Sequence, residues 1–323
     1  MISIKNLRKV YNESVAVDNI SFEIKEGETL VLLGKSGSGK TTTLKMINRL
    51  IEPSSGDIFF DDENILQLDA VKLRRQIGYV IQENALFPHY SVGENISVVP
   101  KLLGWDATSI NKKVNELLQL LELAPEQFID RYPNELSGGQ QQRVAIARAL
   151  AGNPRLVLMD EPFGALDPLI RNQVRESFLK LKTHFNFTVV MVTHDISEAI
   201  KLGDKICLMD HGKIVQMGTS KALVFSPDSP YVLEFFTDNK FQFELNLVNL
   251  ADLMPFLNHN EYKAENPTIA QFPHNMNFYE LMQEYAATSI DKLAVQLENG
   301  ENIQTTISEL LEAFRKYKIA FNS

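Results

Sequence analysis

Apolar and polar residues follow three rhythms along this chain, and each predicts a different kind of element. "MISIKNL" and "VDNISFEI" near the start alternate in the manner of half-buried strands. "ETLVLLG", "RLVLMD", "FTVVMVTH" and "DKICLMD" are apolar almost throughout, which predicts strands covered on both faces. "PSSGDIFFDD" reads as a turn and a strand, and "RQIGYVIQ" as a further strand. Between them, Ser91 to Ala151 carries helical spacing, opened by Ser91 and Glu94 as an S-x-x-E capping box. Strands alternating with helices predict an α/β core with a helical insertion over about 88–151.

The pattern changes after the Pro- and Ser-bearing "FSPDSPYVLEFF", which sets a domain boundary near Asn239. Residues 240–323 then read as a small α+β module. "PTIAQFP" predicts a short strand, "NFYELMQEYAATS" a helix, "DKLAVQLENGENIQTTI" two strands around an Asn299-Gly300 turn, and "SELLEAFRKY" a closing helix.

With 323 residues, 44% of them hydrophobic and 23% charged, the chain has the size and composition of a two-domain globular protein. Its net charge is -9, and the residues after Lys240 carry five basic against eleven acidic side chains. Such an acidic surface argues against nucleic acid as a broad electrostatic partner. The first residues show no secretory apolar region, and no run approaches the 18 or so apolar residues of a spanning helix, so the expectation is a soluble chain. A membrane protein stays open as a partner. The single cysteine, Cys207, cannot form an intramolecular disulfide, and within "KICLMDHG" it reads as core packing, as does the single tryptophan, Trp105.

Chemistry gathers at the ends of the apolar runs. "GKSGSGKT", Gly34 to Thr41, is G-x-x-x-x-G-K-T between a buried strand and a helix. Glycines there let successive N–H groups curl around phosphate oxygens, and the helix adds its positive end. Lys40 is placed for the β and γ phosphates and Thr41 for Mg²⁺. Asp160 and Glu161 end "LVLMDE", where neighbouring acids point different ways: Asp160 toward a metal, Glu161 toward an attacking water. Gln82 and His194 follow two further strands; each alone reads as a surface residue, but beside the other motifs both fit a γ-phosphate site, Gln82 through Mg²⁺ or water. Tyr11 precedes a turn, where an aromatic is either packing or a platform for a base. Ser137, Gly138 and Gly139 stand where a helix begins, a second anion-binding terminus.

Taken in order, "GKSGSGKT", Gln82, "LSGGQ" at Leu136 to Gln140, "LVLMDEP", "ALD" at Ala165 to Asp167, and His194 resemble the ATPase subunits of ABC transporters over roughly residues 1–239. The resemblance implies a P-loop NTPase core with an antiparallel β subdomain and a helical subdomain, ATP and Mg²⁺ as ligands, and ATP hydrolysis coupled to transport. It implies a homodimer around an ATP sandwich, in which Lys40 and Glu161 of one copy face Ser137 and Gly139 of the other. It places Gly34, Ser36, Gly37, Gly39, Lys40, Thr41 and Thr42 on the phosphates, Tyr11 on adenine, Ser137, Gly138, Gly139 and Gln140 on the partner copy's nucleotide, and Asp167 in the loop between the sites. Catalysis falls to Glu161, His194, Lys40 and Gln82, and metal binding to Thr41, Gln82 and Asp160. An integral membrane permease would receive the Gln82 loop and helical insertion at the cytoplasmic face of the plasma membrane, with a substrate-binding protein as indirect partner and no nucleic acid.

"KMINRLIEPSSG" and "ALFPHYSVGENISVVPKLLGW" are similar to importers of glycine betaine, proline, choline or carnitine, with polyamine and methionine importers as rivals. Soluble ABC ATPases of DNA repair or the ribosome are the alternative class; the short segment between Gln82 and Leu136 and the single cassette weigh against them. The tail resembles one CBS motif, although Glu309 stands in "TISE" where that motif's ribose-binding acid is aspartate.

Overall fold

The computed structural model describes residues 1–82, 86–257, 270–288, 292–298 and 302–321. They form two compact units, Met1–Met217 and Gly218–Ser323. The division falls ahead of the boundary expected near Asn239 because the helices before that residue pack within the second unit: Phe236 meets Phe243 with ring centroids 6.4 Å apart. The Pro-bearing stretch joins helices of that second compact unit.

In the first unit, strands β1 (Ile2–Tyr11), β2 (Ser14–Ile24), β4 (Ser55–Phe60) and β5 (Glu63–Asn64) form a sheet in the order β2-β1-β4-β5, antiparallel at each pairing. The second sheet has six strands, β10 (Lys213–Gly218), β9 (Lys205–Asp210), β3 (Thr29–Leu33), β8 (Thr188–Thr193), β7 (Leu156–Asp160) and β6 (Ile77–Val80), in that order. From β9 to β6 its strands pair in parallel. Every residue of β3, β7 and β8 is buried, the reason their sequences are apolar throughout instead of alternating. Parallel pairing also brings the carboxyl ends of β3, β6, β7 and β8 to one edge, where Gly34, Gln82, Asp160 and His194 emerge.

The helices of this unit are α1 (Lys40–Ile47), α2 (Ala70–Gln76), α3 (Val92–Leu102), α4 (Ala107–Leu120), α5 (Pro125–Phe128), α6 (Gly138–Leu150), α7 (Pro168–Phe185) and α8 (Ile196–Leu202). From α3 to α6 they make the expected helical insertion. Its capping box is in place: Ser91 Oγ accepts from the Glu94 N–H at 3.3 Å and Glu94 Oε2 accepts from the Ser91 N–H at 2.8 Å. Cys207 is fully buried in β9, and burial pushes its thiol up to about 12, consistent with packing alone. Trp105 is only half-buried; it lines a cavity of about 560 Å³ with Lys113, Phe185 and Phe187.

The second unit contains α9 (Ser220–Phe225), α10 (Pro230–Phe236), α11 (Lys240–Leu247), α12 (Leu250–Leu253), β11 (Ala270–Pro273), α13 (Phe278–Thr288), β12 (Lys292–Gln296), β13 (Asn302–Thr306) and α14 (Ile307–Phe321). Strands β11 and β12 pair in parallel across α13, and β12 and β13 pair antiparallel. This is the anticipated order of elements; the Asn299-Gly300 turn lies outside the described residues. The core joins α13 to α14 through Phe278 and Phe314, 5.3 Å between centroids. Glu309 caps α14: its carboxylate accepts from the Thr306 N–H at 2.9 Å and Thr305 Oγ1 at 3.1 Å, while its own N–H donates to Thr306 Oγ1 at 3.2 Å. Among the described residues no helix is long and apolar enough to cross a membrane.

Candidate active site

The loop after β3 closes around the Lys40 ammonium. Lys40 Nζ donates to the Gly34 and Lys35 carbonyls, each at 2.8 Å, and to Ser38 Oγ at 3.3 Å. Two glycines are obligatory for this turn. Gly34, at φ +151°, runs so close to β9 that a Cβ would stand 2.2 Å from the Met209 carbonyl oxygen. Gly39, at φ +100° before α1, would put one 2.6 Å from the Ala16 carbonyl oxygen. Ser36 and Gly37 are exposed on the outer side of the loop, and Thr41 and Thr42 lie in the first turn of α1. The glycine loop thus runs straight into the first turn of α1, the placement an anion cradle uses.

The two acids separate as their positions imply. Asp160 is 4% exposed and its Oδ1 accepts from Thr41 Oγ1 at 2.8 Å. Glu161 adopts φ +44°, uncommon for a non-glycine residue, with its N–H held by the Val192 carbonyl at 3.0 Å. Its carboxylate meets two other strand ends: Oε2 accepts from Gln82 Nε2 at 3.3 Å, and Oε1 is 3.2 Å from His194 Nδ1. The structure thus brings Lys40, Thr41, Asp160, Glu161, Gln82 and His194 together at one sheet edge.

Burial raises the Asp160 carboxyl above the ordinary carboxylate value and lowers the Lys40 ammonium. Burial, with Asp160 as a second cause, pushes the nearby Tyr79 phenol up to about 12. Folded Asp160 keeps a proton that the unfolded chain sheds, so its contribution to stability falls as pH rises from the ordinary carboxylate value through the raised one. Asp160→Asn is accordingly expected to melt at a higher temperature than the native chain at pH 7 in chelator, with the gain vanishing toward pH 3. Thermal unfolding followed across that range checks this; equal melting temperatures at pH 7 would contradict it.

"LSGGQ" lies elsewhere in the unit. Ser137 is the N-cap of α6: its Oγ accepts from the Gln140 N–H at 3.4 Å, and Gln140 Oε1 accepts from the Ser137 N–H at 2.9 Å. Gly139 lets this terminus rest on α7, since a Cβ there would come 2.3 Å from Ile170 Cγ2. Asp167 caps α7, accepting from the Ile170 N–H at 3.1 Å. Gln140 and Asp167 are thus engaged as caps within their own helices. Tyr11 is an exposed ring at the end of β1, with Lys9 Nζ 4.9 Å from its centroid.

Sequence reading missed Ser38, Tyr79 and a buried ion network behind His194. In it Arg175 pairs with Glu198, which is 2% exposed, and with Asp195 at 3.3 Å; Arg171 reaches Asp195 at 3.3 Å. The D-x-x-E spacing of Asp195 and Glu198 was a legible helix start, but nothing in the sequence joins it to arginines on α7. Arg175→Ala is expected to cost about 3–5 kcal/mol by leaving the Glu198 charge buried and unpaired. Denaturant unfolding measures it, and a loss below about 1 kcal/mol, as at exposed pairs, would remove the burial argument.

A parallel sheet that presents a glycine loop, a lysine and a hydroxyl beside paired acids defines a P-loop nucleotide-binding protein. Residues 17–164 match the ABC transporter family model. The chain is 40% identical over 301 residues, 93% of its length and 96% of the relative's, to the glycine betaine uptake system ATP-binding protein of Escherichia coli. Over 236 residues it is 53% identical to the glycine betaine/carnitine/choline transport ATP-binding protein of Bacillus subtilis, covering 73% of this chain and 62% of that one. Thus the chain spans less than two thirds of the Bacillus relative. A dimeric ATP-binding cassette solved in a post-hydrolysis state with ADP and Pi is similar at 37% identity and a TM-score of 0.61, over 68% of this chain and 98% of that one. The chain belongs to the family of ABC transporter ATP-binding proteins.

Proposed function

We propose that this chain is the ATP-hydrolysing subunit of an importer for a quaternary-amine osmoprotectant such as glycine betaine. It works as a homodimer on a separate integral membrane permease at the cytoplasmic face of the plasma membrane, with a substrate-binding protein as indirect partner. The carrying observation is the Glu161 carboxylate held between Gln82 and His194, beside Lys40, Thr41 and Asp160. Glu161 orients and deprotonates water, Lys40 and the loop N–H groups bind phosphate oxygens, and His194 holds the Glu161 side of the site. Tyr11 stacks on adenine. Ser137, Gly138, Gly139 and Gln140 complete the site of the other copy, and Asp167 lies in the loop that joins the two sites.

The donor set suits Mg²⁺. Thr41 and Asp160 offer hard oxygens 2.8 Å apart, and a carboxyl raised by burial gains most from a cation beside it. Thr41, Asp160 and Gln82 are the residues that would hold it. When bound, the ion neutralises phosphate charge during transfer.

Residues 1–239 serve as the ATPase domain in this reading, and 240–323 as a regulatory module similar to a single CBS motif. Glu309, engaged as a helix cap, supports a stabilising role for that module over ribose binding. The names of the relatives favour osmoprotectants over polyamines or methionine as cargo.

Affinity purification from gently solubilised membranes tests the assignment, with co-purifying proteins identified by mass spectrometry and radiolabelled glycine betaine offered to the intact system. A multi-span partner and ATP-dependent uptake are expected. Recovery only with ribosomes or DNA would overturn the transport reading, and a permease indifferent to glycine betaine would overturn the cargo.

A further inference from the structure

His194 is exposed over 63% of its side chain, yet the backbone on either side of it is tightly held. Thr193 Oγ1 donates to Glu198 Oε2 at 2.6 Å and accepts the Asp195 N–H at 3.0 Å. Asp195 Oδ1 accepts the Glu198 N–H at 3.1 Å, capping α8, and its Oδ2 receives Arg171 Nη1 and Arg175 Nη2, each at 3.3 Å. Arg175 closes this ring on Glu198 and is buried with it. Arg171 does something different. Its Nη2 reaches out of the ring to the Leu166 carbonyl at 2.9 Å and the Gly164 carbonyl at 3.4 Å, in the loop that ends at Asp167.

One guanidinium therefore ties the Gly164–Asp167 loop to the residue beside His194. That loop is also joined to Glu161, whose carbonyl accepts the Gly164 N–H at 3.2 Å. We propose that Arg171 is a positioning residue that transmits the placement of the Gly164–Asp167 loop to His194, so that His194 meets Glu161 only when this loop is seated. The inference rests on the ATPase reading above, in which the loop faces the second copy. A planar fork is needed for this: Nη1 serves the carboxylate while Nη2 serves the carbonyls, a span that one ammonium centre on lysine does not reproduce. Arg175 does not duplicate this link: its hydrogen bonds go to Asp195, Glu198 and Asn172, and it meets the loop through the face of the Phe163 ring, 5.8 Å from the centroid, instead of through the loop carbonyls.

The test compares Arg171→Ala, Arg171→Lys and Asp195→Asn in the full chain; asparagine keeps the α8 cap but gives up the charge that Arg171 engages. Each is expected to lower kcat by at least about 5-fold, the lower end of ordinary site-to-site coupling, with KM for ATP and single-copy ATP affinity changed by less than about 2-fold. The Hill coefficient for ATP is expected to drop toward 1. Placed on His194→Ala, each substitution is expected to cause no further loss, since both remove the same contact. Unchanged turnover and cooperativity in Asp195→Asn and Arg171→Lys would overturn the proposal, as would losses that simply multiply with that of His194→Ala. Should Arg171→Ala unfold, the other two variants carry the measurement, with melting temperature as the control. Wild-type turnover in both Glu161→Gln and His194→Ala would identify the ATPase reading, and not the coupling, as the failure.

Discussion

Glutamine at position 161 leaves ATP bound and lowers turnover by about 10²- to 10⁴-fold, the range over which a positioned general base acts. The backbone at this residue is fixed by its left-handed turn and by the Val192 carbonyl, so an amide of the same shape occupies the same place. Glutamine still offers an oxygen to Gln82 or His194, but it cannot take a proton from water. ATP should therefore persist and hold two copies together, where the native chain would hydrolyse it and separate. Rapid-quench hydrolysis and light scattering with saturating ATP read the two effects. Native turnover in Glu161→Gln, or a monomer at saturating ATP, would sink the assignment of Glu161 and the sandwich together.

Arginine at Ser137 is the second large expected effect. Ser137 opens α6, and its hydroxyl and N–H both bond to Gln140 on its own helix, so the terminus is built without help from the phosphate loop. An arginine there removes the capping hydroxyl and, in the proposed sandwich, places a long side chain where the other copy's γ-phosphate would approach. Loss of a preorganised donor costs about 10²- to 10³-fold in kcat, and nucleotide binding to a single copy should survive. A mixing experiment separates this from simple damage. Ser137→Arg and Glu161→Gln chains are each inactive, but a mixed dimer has one composite site with a sound Glu161 and a sound Ser137. Random pairing then restores about a quarter of native activity. No recovery on mixing would refute the sharing of sites between copies.

The ends of the buried strands were legible in the sequence, and so were the residues displayed there. Runs such as "LVLL" and "TVVMVT" have one plausible use, and once they lie parallel, Gly34, Asp160 and His194 must come out at a common edge. The capping box at Ser91 and the strand, helix, hairpin, helix order of the tail were legible for the same reason, since each signal is local. What escaped notice was made by distant pairs. Nothing near Arg175 signals that Glu198, beyond a strand and a turn, will be buried against it. Tyr79 looked like one more apolar strand residue, and only pairing of β6 with β7 puts its phenol near Asp160. The division into compact units at Gly218 carried no local signal, because prolines punctuate joints inside such units as well as between them. Glu309 was visible as a departure from a motif, but its work as a helix cap required coordinates.

The ring of hydrogen bonds that Lys40 makes with its own loop has a consequence for timing. A loop backbone already curled has little conformational entropy left to lose, so an arriving nucleotide has chiefly to draw the Lys40 ammonium off the Gly34, Lys35 and Ser38 oxygens. Encounter with one copy should then be quick and nearly indifferent to which nucleotide arrives. Discrimination between triphosphate and diphosphate is left to residence time, and residence is lengthened when a second copy closes over the terminal phosphate. In stopped-flow measurements the two nucleotides should associate at similar rates and part company in how fast they leave.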